Sequence, residues 1–434
     1  MKCVNCGTDN NLEDRTANDG RCKNCNHPFA FDPKAGSAFT DVFFKRSLEA
    51  ISNENSLFFT RKQFLYFLER RREPKEYSNI IALCVLEILS FVSVATLALS
   101  FQTLVKNFFL SAMCVIVTAI LLFLIHMRGS SSQSNSYKKK KNHAILMQVL
   151  GYSCIGLSII ASLTLAVSNE MKFLVFLIGV GFGLFSIYFG IERVNQSYYI
   201  PQKFNYATPR AVNTWLNRWT EFNSVEKLLP SPRVEIGNIE VSPEISAYSF
   251  DRLLVCDTCE IAQFLIANNF HFEHNCAVLS IDRYPQSVFS TVMEMLRRNR
   301  ELIVYAFHSA TPRGVALAHK LQTSDRWFAN SDVYIRDLGL LPRHIFSSRN
   351  MFILNSPQSV AAAGEIPTEV RENLSVNEIE WLEAGNYVEL ESFSPRRLLL
   401  VVSRGISRGG GGGIIAIDHD DSYSLSYDVD DSFG

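Results

Sequence analysis

The sequence predicts a multidomain fold: a small cysteine-rich module, a four-helix membrane region and an α/β domain with a parallel sheet. Three observations predict it: two cysteine pairs near the N-terminus, four long apolar segments in the middle, and alternating strand-like and helix-like segments after them. The 434 residues suffice for about two or three domains. Lys and Arg number 42 and Asp and Glu 43, so the net charge of −1 argues against a protein that is basic throughout. The N-terminus has no apolar signal-peptide core, so we expect neither a secreted protein nor, given the apolar segments, a purely soluble one.

Two CxxC pairs define the N-terminal module, which we place at residues 1–35. Their cysteines are Cys3, Cys6, Cys22 and Cys25, with fifteen residues between the pairs. This spacing is typical of a zinc ribbon, in which two turns each present two thiolates and together close a tetrahedral site. Because no coordination position stays open, we predict a structural Zn²⁺ that this short segment needs in order to fold. A redox dithiol or a chance match is the alternative, and the ribbon's role is left open between binding a protein, binding nucleic acid and stability alone.

Four apolar segments predict membrane-spanning helices within residues 77–193. The segments are 80–101, 108–127, 144–167 and 173–191. Each is near the length of about 20 residues that crosses a bilayer, and Glu87 is the one charged residue among them. The fourth segment carries glycines that allow close helix packing: Gly179, Gly181, Gly183 and Gly190. A very apolar helical core of a soluble protein is the alternative.

Lys and Arg are concentrated on one predicted side of the membrane. They precede the first segment at 70–75, fill the loop at 128–143 and follow the last segment at Arg193, whereas the two other loops carry one lysine each. By the positive-inside rule both termini face the cytoplasm, and the predicted location is a prokaryotic inner or plasma membrane, with the bilayer as a partner. A charge inside a span is costly, so Glu87 is a functional-site candidate. Without a second buried charge, however, we interpret the four segments as an anchor.

Residues 36–76 predict a helical linker with amphipathic helices at 38–51 and 60–72, and a winged helix is an alternative. The second helix contains the run Lys62-Gln63-Phe64-Leu65-Tyr66. This run resembles the winged-helix segment of topoisomerase VI A-type proteins, in which an Arg-x-(apolar)-(aromatic)-Tyr run ends in the tyrosine that attacks DNA. The resemblance implies that Tyr66 is a catalytic nucleophile. The alternative is that these aromatic residues simply form the packed side of a helix.

A loop-rich connector is expected at 194–249, and an alternating pattern then predicts a parallel α/β sheet at 250–403. Short apolar strands are expected at 252–256, 277–281, 302–307 and 333–336. Helices are expected between them, at 257–268, 287–298 and 315–322. Ligands of such sheets bind at the carboxyl ends of the strands, which here carry Asp257 and the turn 308–314.

The turn after the third strand reads His308-Ser309-Ala310-Thr311-Pro312-Arg313-Gly314. It resembles the His-Asp-Ala-Asp-Pro-x-Gly turn that the topoisomerase VI A subunit and related bacterial nucleases carry in their Toprim domain, and the resemblance covers residues 250–345. That family holds Mg²⁺ with both aspartates and with an acid after the first strand, the place of Asp257 here. Ser309 and Thr311 replace the two aspartates, and neutral hydroxyls do not supply the charge that Mg²⁺ needs. We therefore expect a Toprim-like fold without Mg²⁺ catalysis; an unrelated α/β domain, or an enzyme with rearranged ligands, is the alternative.

The same turn precedes a helix, and helix N-termini favour anions, so the turn is also a candidate site for a phosphate or another ligand. Its candidate residues are Asp257, His308, Ser309, Thr311, Arg313 and Gly314. Cys256 and Cys259 form a further CxxC, which we interpret as ordinary buried cysteines rather than as a redox pair. Residues 404–434 contain five consecutive glycines and then an acidic stretch, which together predict a flexible tail.

Two functions from different classes follow from these patterns. The first is a non-enzymatic scaffold or sensor, anchored in the membrane, whose ribbon and degenerate Toprim-like domain bind a cytoplasmic protein or nucleic acid. The second is a membrane-tethered DNA-cleaving protein that uses Tyr66 as its nucleophile. The replaced aspartates favour the first function, as does a sequence without a Walker loop, a nucleophile elbow or an HExxH motif.

Overall fold

The computed structural model describes residues 1–72, 81–90, 92–93, 108–131, 137–164, 168–197, 201–232, 250–297, 302–329, 331–348 and 351–407. It divides into two compact units. Met1–Glu73 and Lys203–Gly434 form the first, which we call the ribbon–sheet unit, and Pro74–Gln202 form the second, the apolar helical unit. Residues 404–407 of the predicted tail are helical, and the rest of it, from position 408 onward, lies outside the described residues.

The N-terminal module consists of two similar turns joined by helix α1, Leu12–Ala17. Each turn is closed by a single antiparallel bridge, Lys2 with Asp9 and Arg21 with Pro28. Asn11 caps α1 through a reciprocal capping box with Asp14, which satisfies backbone N–H groups of the first turn. The module therefore has little core of its own and depends on what its two turns hold between them.

Helices α2, Asp41–Ile51, and α3, Arg61–Arg72, follow the module. The Thr40 hydroxyl accepts a hydrogen bond from the backbone N–H of Phe43 and begins α2. Thr60 begins α3 in the same way, because its hydroxyl accepts from the Gln63 N–H while the Gln63 side chain accepts from the Thr60 N–H. Both predicted helices of the linker are thus present.

The apolar helical unit contains helices α4, Ile81–Ser90, α5, Phe108–Ser131, α6, Tyr137–Thr164, and α7, Asn169–Ser197. Within the described residues, the stretches Lys140–Leu163 and Asn169–Gln196 are long and apolar enough to cross a membrane. Ile81–Ser90 and Val115–Ser131 are shorter apolar stretches. Only 17% of the most apolar window of α7 is buried, so this helix presents a largely apolar surface outward.

Small residues bring α6 and α7 into backbone contact. A Cβ atom on Gly183 would lie 2.7 Å from the Gly151 carbonyl oxygen, and one on Gly190 would lie 2.9 Å from the Ala144 carbonyl oxygen. A Cβ on Gly179 would overlap the side chain of Ser158. Three of the four glycines predicted to allow close packing therefore do so, whereas Gly181 faces open space.

Helix α8, Pro209–Thr220, lies in the segment that the sequence predicted to be a loop-rich connector. Pro209 occupies the first helical turn, where its missing N–H costs nothing, and the preceding Thr208 caps the helix. The buried face of α8 packs against α2 and α3 in a core rich in aromatic rings, which includes Phe31, Phe39, Phe44, Phe64, Val212, Leu216 and Trp219. The connector is therefore in part a structural element of this core.

The Glu69 carboxylate on α3 joins the two separated halves of the ribbon–sheet unit. It accepts hydrogen bonds of 2.7, 2.9 and 2.7 Å from the backbone N–H groups of Asn205, Tyr206 and Ala207. Glu69 is itself buried. The chain thus leaves this unit after α3 and returns to it beside α3.

Four parallel strands form the sheet of the ribbon–sheet unit: β1, Arg252–Cys256, β2, Cys276–Ser280, β3, Ile303–Phe307, and β4, Tyr334–Asp337. Their order is β2-β1-β3-β4. The intervening helices are α9, Cys259–Ala267, α10, Phe270–Glu273, α11, Gln286–Arg297, α12, Pro312–Val315, and α13, Leu317–Thr323. The predicted parallel sheet is confirmed, with strand ends that differ from the prediction by at most one residue. The helix predicted at 315–322 is instead two short helices.

The remaining elements follow the sheet along the chain. They are α14, Pro342–Phe346, β5, Leu354–Asn355, α15, Pro357–Gly364, α16, Thr368–Arg371, α17, Val376–Glu383, β6, Asn386–Tyr387, a 3₁₀ turn, Leu390–Ser392, and α18, Pro395–Ser407. β5 and β6 pair antiparallel. Val388 then forms an antiparallel bridge with Ala310, just beyond β3. We call residues 388–392 the covering segment, because this bridge places it at the carboxyl ends of β1 and β3.

Candidate functional site

The four predicted cysteine ligands lie together in the N-terminal module. The Sγ atoms of Cys3, Cys6, Cys22 and Cys25 all lie within 4.8 Å of one another. The Cys3–Cys25 and Cys6–Cys22 sulfur pairs are each 3.6 Å apart. A tetrahedral ion with metal–sulfur bonds of about 2.3 Å would hold its sulfurs about 3.8 Å apart. The arrangement therefore fits a four-thiolate metal centre.

Each half of this metal centre is built by the same local turn. The Gly7 N–H donates to the Cys3 carbonyl, and the Asn26 N–H donates to the Cys22 carbonyl, both at 2.9 Å. Gly7 and Asn26 adopt left-handed φ angles of 74° and 58°. Glycine and asparagine are the residues that tolerate this conformation best. The CxxC spacing and the residue after each pair thus fix the direction of the thiols.

Hydrogen bonds and burial act on the thiols of Cys6, Cys3 and Cys22. The Thr8 hydroxyl lies 3.2 Å from Cys6 Sγ, and this hydrogen bond lowers the pKa of Cys6 to about 5. Burial raises the pKa of Cys3 to about 12. The Asn10 side-chain amide donates to Cys22 Sγ at 3.5 Å. Such N–H···S hydrogen bonds orient ligand sulfurs from behind, in the way that surrounding groups orient metal ligands generally.

Asp41 anchors the module to the rest of the ribbon–sheet unit. Its carboxylate accepts hydrogen bonds from the Ala30 and Phe31 N–H groups at 3.1 and 2.7 Å. Burial raises the pKa of Asp41 to about 6, and these two hydrogen bonds oppose the shift. The chain that leaves the metal centre therefore enters the aromatic core at a fixed position.

A second candidate site lies at the carboxyl ends of β1 and β3. In the order β2-β1-β3-β4, the chain passes from β1 to β2 on one side of this pair and from β3 to β4 on the other side. Open parallel sheets bind ligands at such a point, beyond the carboxyl ends of the strands. Asp257 follows β1, and its Oδ2 atom accepts a hydrogen bond of 2.8 Å from the Ser309 N–H. The Ser309 hydroxyl accepts one of 3.2 Å from the Leu390 N–H in the covering segment. The side chain of Ser309 thus binds this protein's own backbone.

Thr311 and Gly314 shape the turn after β3. The Thr311 hydroxyl caps helix α12 by accepting from the Gly314 N–H at 2.9 Å. A Cβ atom on Gly314 would overlap the Ser309 carbonyl oxygen, so the turn requires glycine here. The side chain of Arg313 is exposed. The Ser309 and Gly314 N–H groups already have acceptors inside the protein. Phosphate binding at this turn stays a prediction.

The buried side chain of His308 forms an ion pair with the half-buried Asp337 at the end of β4. His308 Nε2 lies 3.0 Å from Asp337 Oδ1, and the same oxygen accepts from the Gly339 N–H. Burial by itself would lower the pKa of His308, but the Asp337 carboxylate outweighs it and the pKa is raised. The pKa of Asp337 is lowered in turn, because His308 outweighs the effect of burial. His308 therefore joins β3 to β4 rather than facing an open cleft.

The covering segment connects this edge of the sheet with helix α3. The Tyr66 hydroxyl donates to Glu389 Oε2 at 2.9 Å, and Lys62 Nζ lies 2.9 Å from Glu389 Oε1. Lys62 Nζ also lies 3.8 Å from Oε1 of Glu391. Tyr66 is 2% exposed, with its ring against Phe204 and Phe352. A residue predicted as a nucleophile is thus the buried donor to an internal carboxylate.

The electrostatics of this cluster are unusual. Burial raises the pKa of Glu391 to about 8, with Lys62 opposing the shift and Glu389 and Asp257 adding to it. Burial also raises the pKa of Asp257, and burial followed by Glu389 raises that of Tyr66 well above its ordinary value. Asp257 Oδ1 and Glu391 Oε1 are buried and accept no hydrogen bond from the described residues. Lys62 opposes the shift at Glu391, and His308 and Lys62 both oppose the shift at Asp257.

The structure brings most of the predicted site residues together. Asp257, His308, Ser309, Thr311 and Gly314 share one edge of the sheet, and Tyr66 reaches the same edge through Glu389 and the covering segment. Sequence reasoning missed the two acids of that segment. Their residue types carry no local signal, because the burial of Glu391 depends on a contact with α3 that the sequence pattern does not encode.

Among the described residues, the cysteines of the additional CxxC, Cys256 and Cys259, do not belong to a metal-binding cluster. Cys256 and Cys276 are buried on neighbouring strands, and Cys259 lies 3.4 Å from the Ser280 hydroxyl. Cys256 aligns with Ser280, and Cys276 with Arg252, in the β1–β2 register. All three are free thiols. This agrees with their interpretation as ordinary structural cysteines.

Comparisons of the chain with protein-family models, with curated proteins and with solved structures find no match. Its function must therefore be argued from the two candidate sites themselves. Fold alone does not define function, since one parallel α/β architecture hosts many activities.

Proposed function

We propose that this protein is a membrane-anchored, non-enzymatic binding or scaffold module that presents a zinc ribbon and a degenerate Toprim-like domain to the cytoplasm. The observation that carries the proposal is the filling of the strand-end crevice from within. Ser309 binds the backbone of the covering segment, and Lys62 lies against its acids, 2.9 Å from Glu389. A lysine ammonium supplies positive charge at this edge, where the resembled family holds Mg²⁺.

Zinc is the metal that the ribbon's ligand set favours. Four thiolates at tetrahedral spacing suit Zn²⁺, and a closed four-sulfur site leaves no position for a substrate. The role of the ion is to fold residues 1–35. Zinc stoichiometry on the purified chain tests this assignment: Cys22→Ser is expected to lose one tightly bound equivalent that the matched control Cys259→Ser retains.

The membrane anchor is proposed to cross the bilayer four times. Two helices of the apolar unit are long enough to do so, and two shorter apolar stretches fall in the other predicted spans. Glu69 supports an even number of crossings, because it binds the returning chain at 205–207 to the helix from which the chain departed. With the lysine-rich 128–143 loop inside, both termini would face the cytoplasm.

The arrangement is tested by tagging each end of the full-length protein. In inverted and right-side-out vesicles from a bacterial host, added protease should remove the N-terminal and C-terminal tags only in the inverted preparation. Removal of one tag from each side would contradict an even number of crossings. Removal of both tags only from right-side-out vesicles would contradict the cytoplasmic orientation.

The partner of the module is proposed to be either nucleic acid or a cytoplasmic protein. Equilibrium binding of fluorescent duplex and single-stranded DNA to the full-length protein in detergent, across a salt series, separates the two. Retention that weakens steeply with salt supports a DNA tether. No retention at low salt favours a protein partner.

A second candidate function is DNA cleavage by Tyr66, and one observation favours it. The tyrosine helix and the strand-end site belong to one compact unit and meet through Glu389, although the apolar helical unit separates them in sequence. For cleavage, the covering segment would have to move and expose Tyr66, and a general base would have to accept the proton of its hydroxyl, whose pKa is raised. Covalent DNA–protein adducts that disappear in Tyr66→Phe would establish this function.

A further inference from the structure

Three ionisable side chains form a chain of contacts inside the apolar helical unit. His126 Nε2 on α5 lies 2.9 Å from Glu87 Oε1 on α4. His126 Nδ1 lies 3.2 Å from Nδ1 of His143 on α6. Glu87 and His126 are both buried, and His143 is half-buried. The only charge that the sequence places inside a predicted span thus belongs to a cluster drawn from three helices.

The contact with Glu87 determines which nitrogen of His126 carries a proton. A carboxylate accepts, so His126 Nε2 donates to it, and in the neutral ring the Nδ1 lone pair is then free. His126 Nδ1 lies 3.2 Å from His143 Nδ1 on the neighbouring helix. Carboxylate groups hold metal-binding histidines in this way, with one ring nitrogen donating to the acid and the other binding the ion.

The spacing of the two nitrogens suits a shared metal ion. Two ligand nitrogens bound tetrahedrally at about 2.0–2.1 Å would lie about 3.3 Å apart. The observed separation of the two Nδ1 atoms is 3.2 Å. We propose that His126 and His143 bind a divalent transition-metal ion of the Zn²⁺ class, with Glu87 as the residue that positions His126.

Gly129 is what allows His143 to come this close. It follows His126 by three residues on α5 and therefore lies on the same face. A Cβ atom at position 129 would collide with three atoms of the His143 ring. The imidazole thus packs directly on the α5 backbone, and a single methyl group at Gly129 would displace one ligand without changing any donor atom.

The ligand set defines the chemical class of the ion. Imidazole nitrogens suit Zn²⁺, Ni²⁺, Cu²⁺ and Co²⁺ rather than Mg²⁺ or Ca²⁺. Two protein ligands leave positions for water or another donor, unlike the closed four-sulfur centre of the ribbon. Both histidines flank the lysine-rich loop at 128–143, so the ion would enter from the side of the membrane that this loop faces.

The experiment uses the full-length protein in detergent, with its ribbon already loaded with zinc and free metal removed by gel filtration. Titration with Co²⁺ should add one equivalent, with visible d–d absorption and no sulfur-to-cobalt charge-transfer band. Cobalt-edge X-ray absorption should show nitrogen and oxygen neighbours with imidazole scattering. A sulfur shell, or no added equivalent, would overturn the proposal.

Variants assign the site to its residues. His126→Ala and His143→Ala should abolish the added equivalent, and Glu87→Gln should weaken its binding by about tenfold or more. Gly129→Ala retains every donor and should also weaken binding, so it separates loss of geometry from loss of a ligand. His319→Ala, in the ribbon–sheet unit, is the matched control and should bind cobalt as the unmodified protein does. Unchanged cobalt affinity in His143→Ala or Gly129→Ala, with helicity preserved, would reduce the pair to an ordinary hydrogen bond.

Discussion

The Tyr66 hydroxyl donates a hydrogen bond of 2.9 Å to the carboxylate of Glu389, which lies 323 positions further along the chain. This contact joins helix α3 to the segment that covers the strand ends. It also gives Tyr66, the candidate DNA-attacking nucleophile, a structural role in this conformation. The hydroxyl faces an internal carboxylate, and its ring is buried between two phenylalanines.

Tyr66→Phe should therefore lower the stability of the ribbon–sheet unit. It removes one hydrogen bond to a charged, partly exposed acceptor, which corresponds to a loss of about 1–3 kcal/mol in the free energy of unfolding. Urea unfolding of the full-length protein, followed by tryptophan fluorescence, measures the change. Tyr334→Phe is the matched control, because Tyr334 is 62% exposed, and it should change little. Equal effects of the two substitutions would show that the Glu389 contact contributes nothing.

Glu391 should make stability depend on pH. Burial raises its pKa from 4.5 to about 8, so the folded state retains a proton that the unfolded state has lost. Stability should then fall as the pH rises from about 4.5 to about 8. Glu391→Gln cannot ionise and should remove part of that fall; the remainder reflects other groups whose pKa values are also raised, Asp257, Asp41 and His308. The free energy of unfolding would be measured across this pH range, with Glu369→Gln as an exposed control. If its dependence on pH were as steep in Glu391→Gln as in the unmodified protein, the account would be contradicted.

These two predictions concern contacts that the sequence did not reveal. The strands were predictable because continuous apolar runs such as 252–256 are typical of buried parallel strands. The cysteine cluster was predictable because its ligands are close in sequence and their type is diagnostic. Glu389 and Glu391 were not, since ordinary surface-type residues become part of a site only when a distant helix covers them. The prediction of a loop-rich connector at 194–249 was wrong for α8. Proline is common in loops, but Pro209 lies in the first turn of this helix.

Glu69→Gln should loosen the point where the chain returns to the ribbon–sheet unit. The carboxylate accepts three backbone hydrogen bonds with its two oxygens, and the amide keeps only one oxygen. Hydrogen bonds to charged groups contribute about 1.5–3 kcal/mol each, so a loss of that order is expected. Limited proteolysis should show faster cleavage near residues 198–207. Glu49→Gln, on the exposed part of α2, is the control and should leave the cleavage rate unchanged.

Gly314→Ala should damage the turn after β3, because its Cβ would overlap the Ser309 carbonyl oxygen. Relief of such an overlap requires a backbone shift, at a cost of about 1–3 kcal/mol. Gly364→Ala is the matched control, since its Cβ meets nothing within 4 Å. Thermal unfolding of the two variants should separate them clearly. A Gly314→Ala protein as stable as Gly364→Ala would mean that the turn is not as constrained as its geometry indicates.

The non-enzymatic nature of the strand-end site is the central claim, and incubation with supercoiled plasmid tests it most directly. Full-length protein in detergent would be mixed with plasmid in the presence and absence of Mg²⁺ or Mn²⁺, beside Tyr66→Phe. The account predicts no nicked or linear product and no covalent DNA–protein adduct with either protein. Metal-dependent nicking, or an adduct that forms with the unmodified chain and is lost in Tyr66→Phe, would contradict the account and identify a DNA-cleaving enzyme.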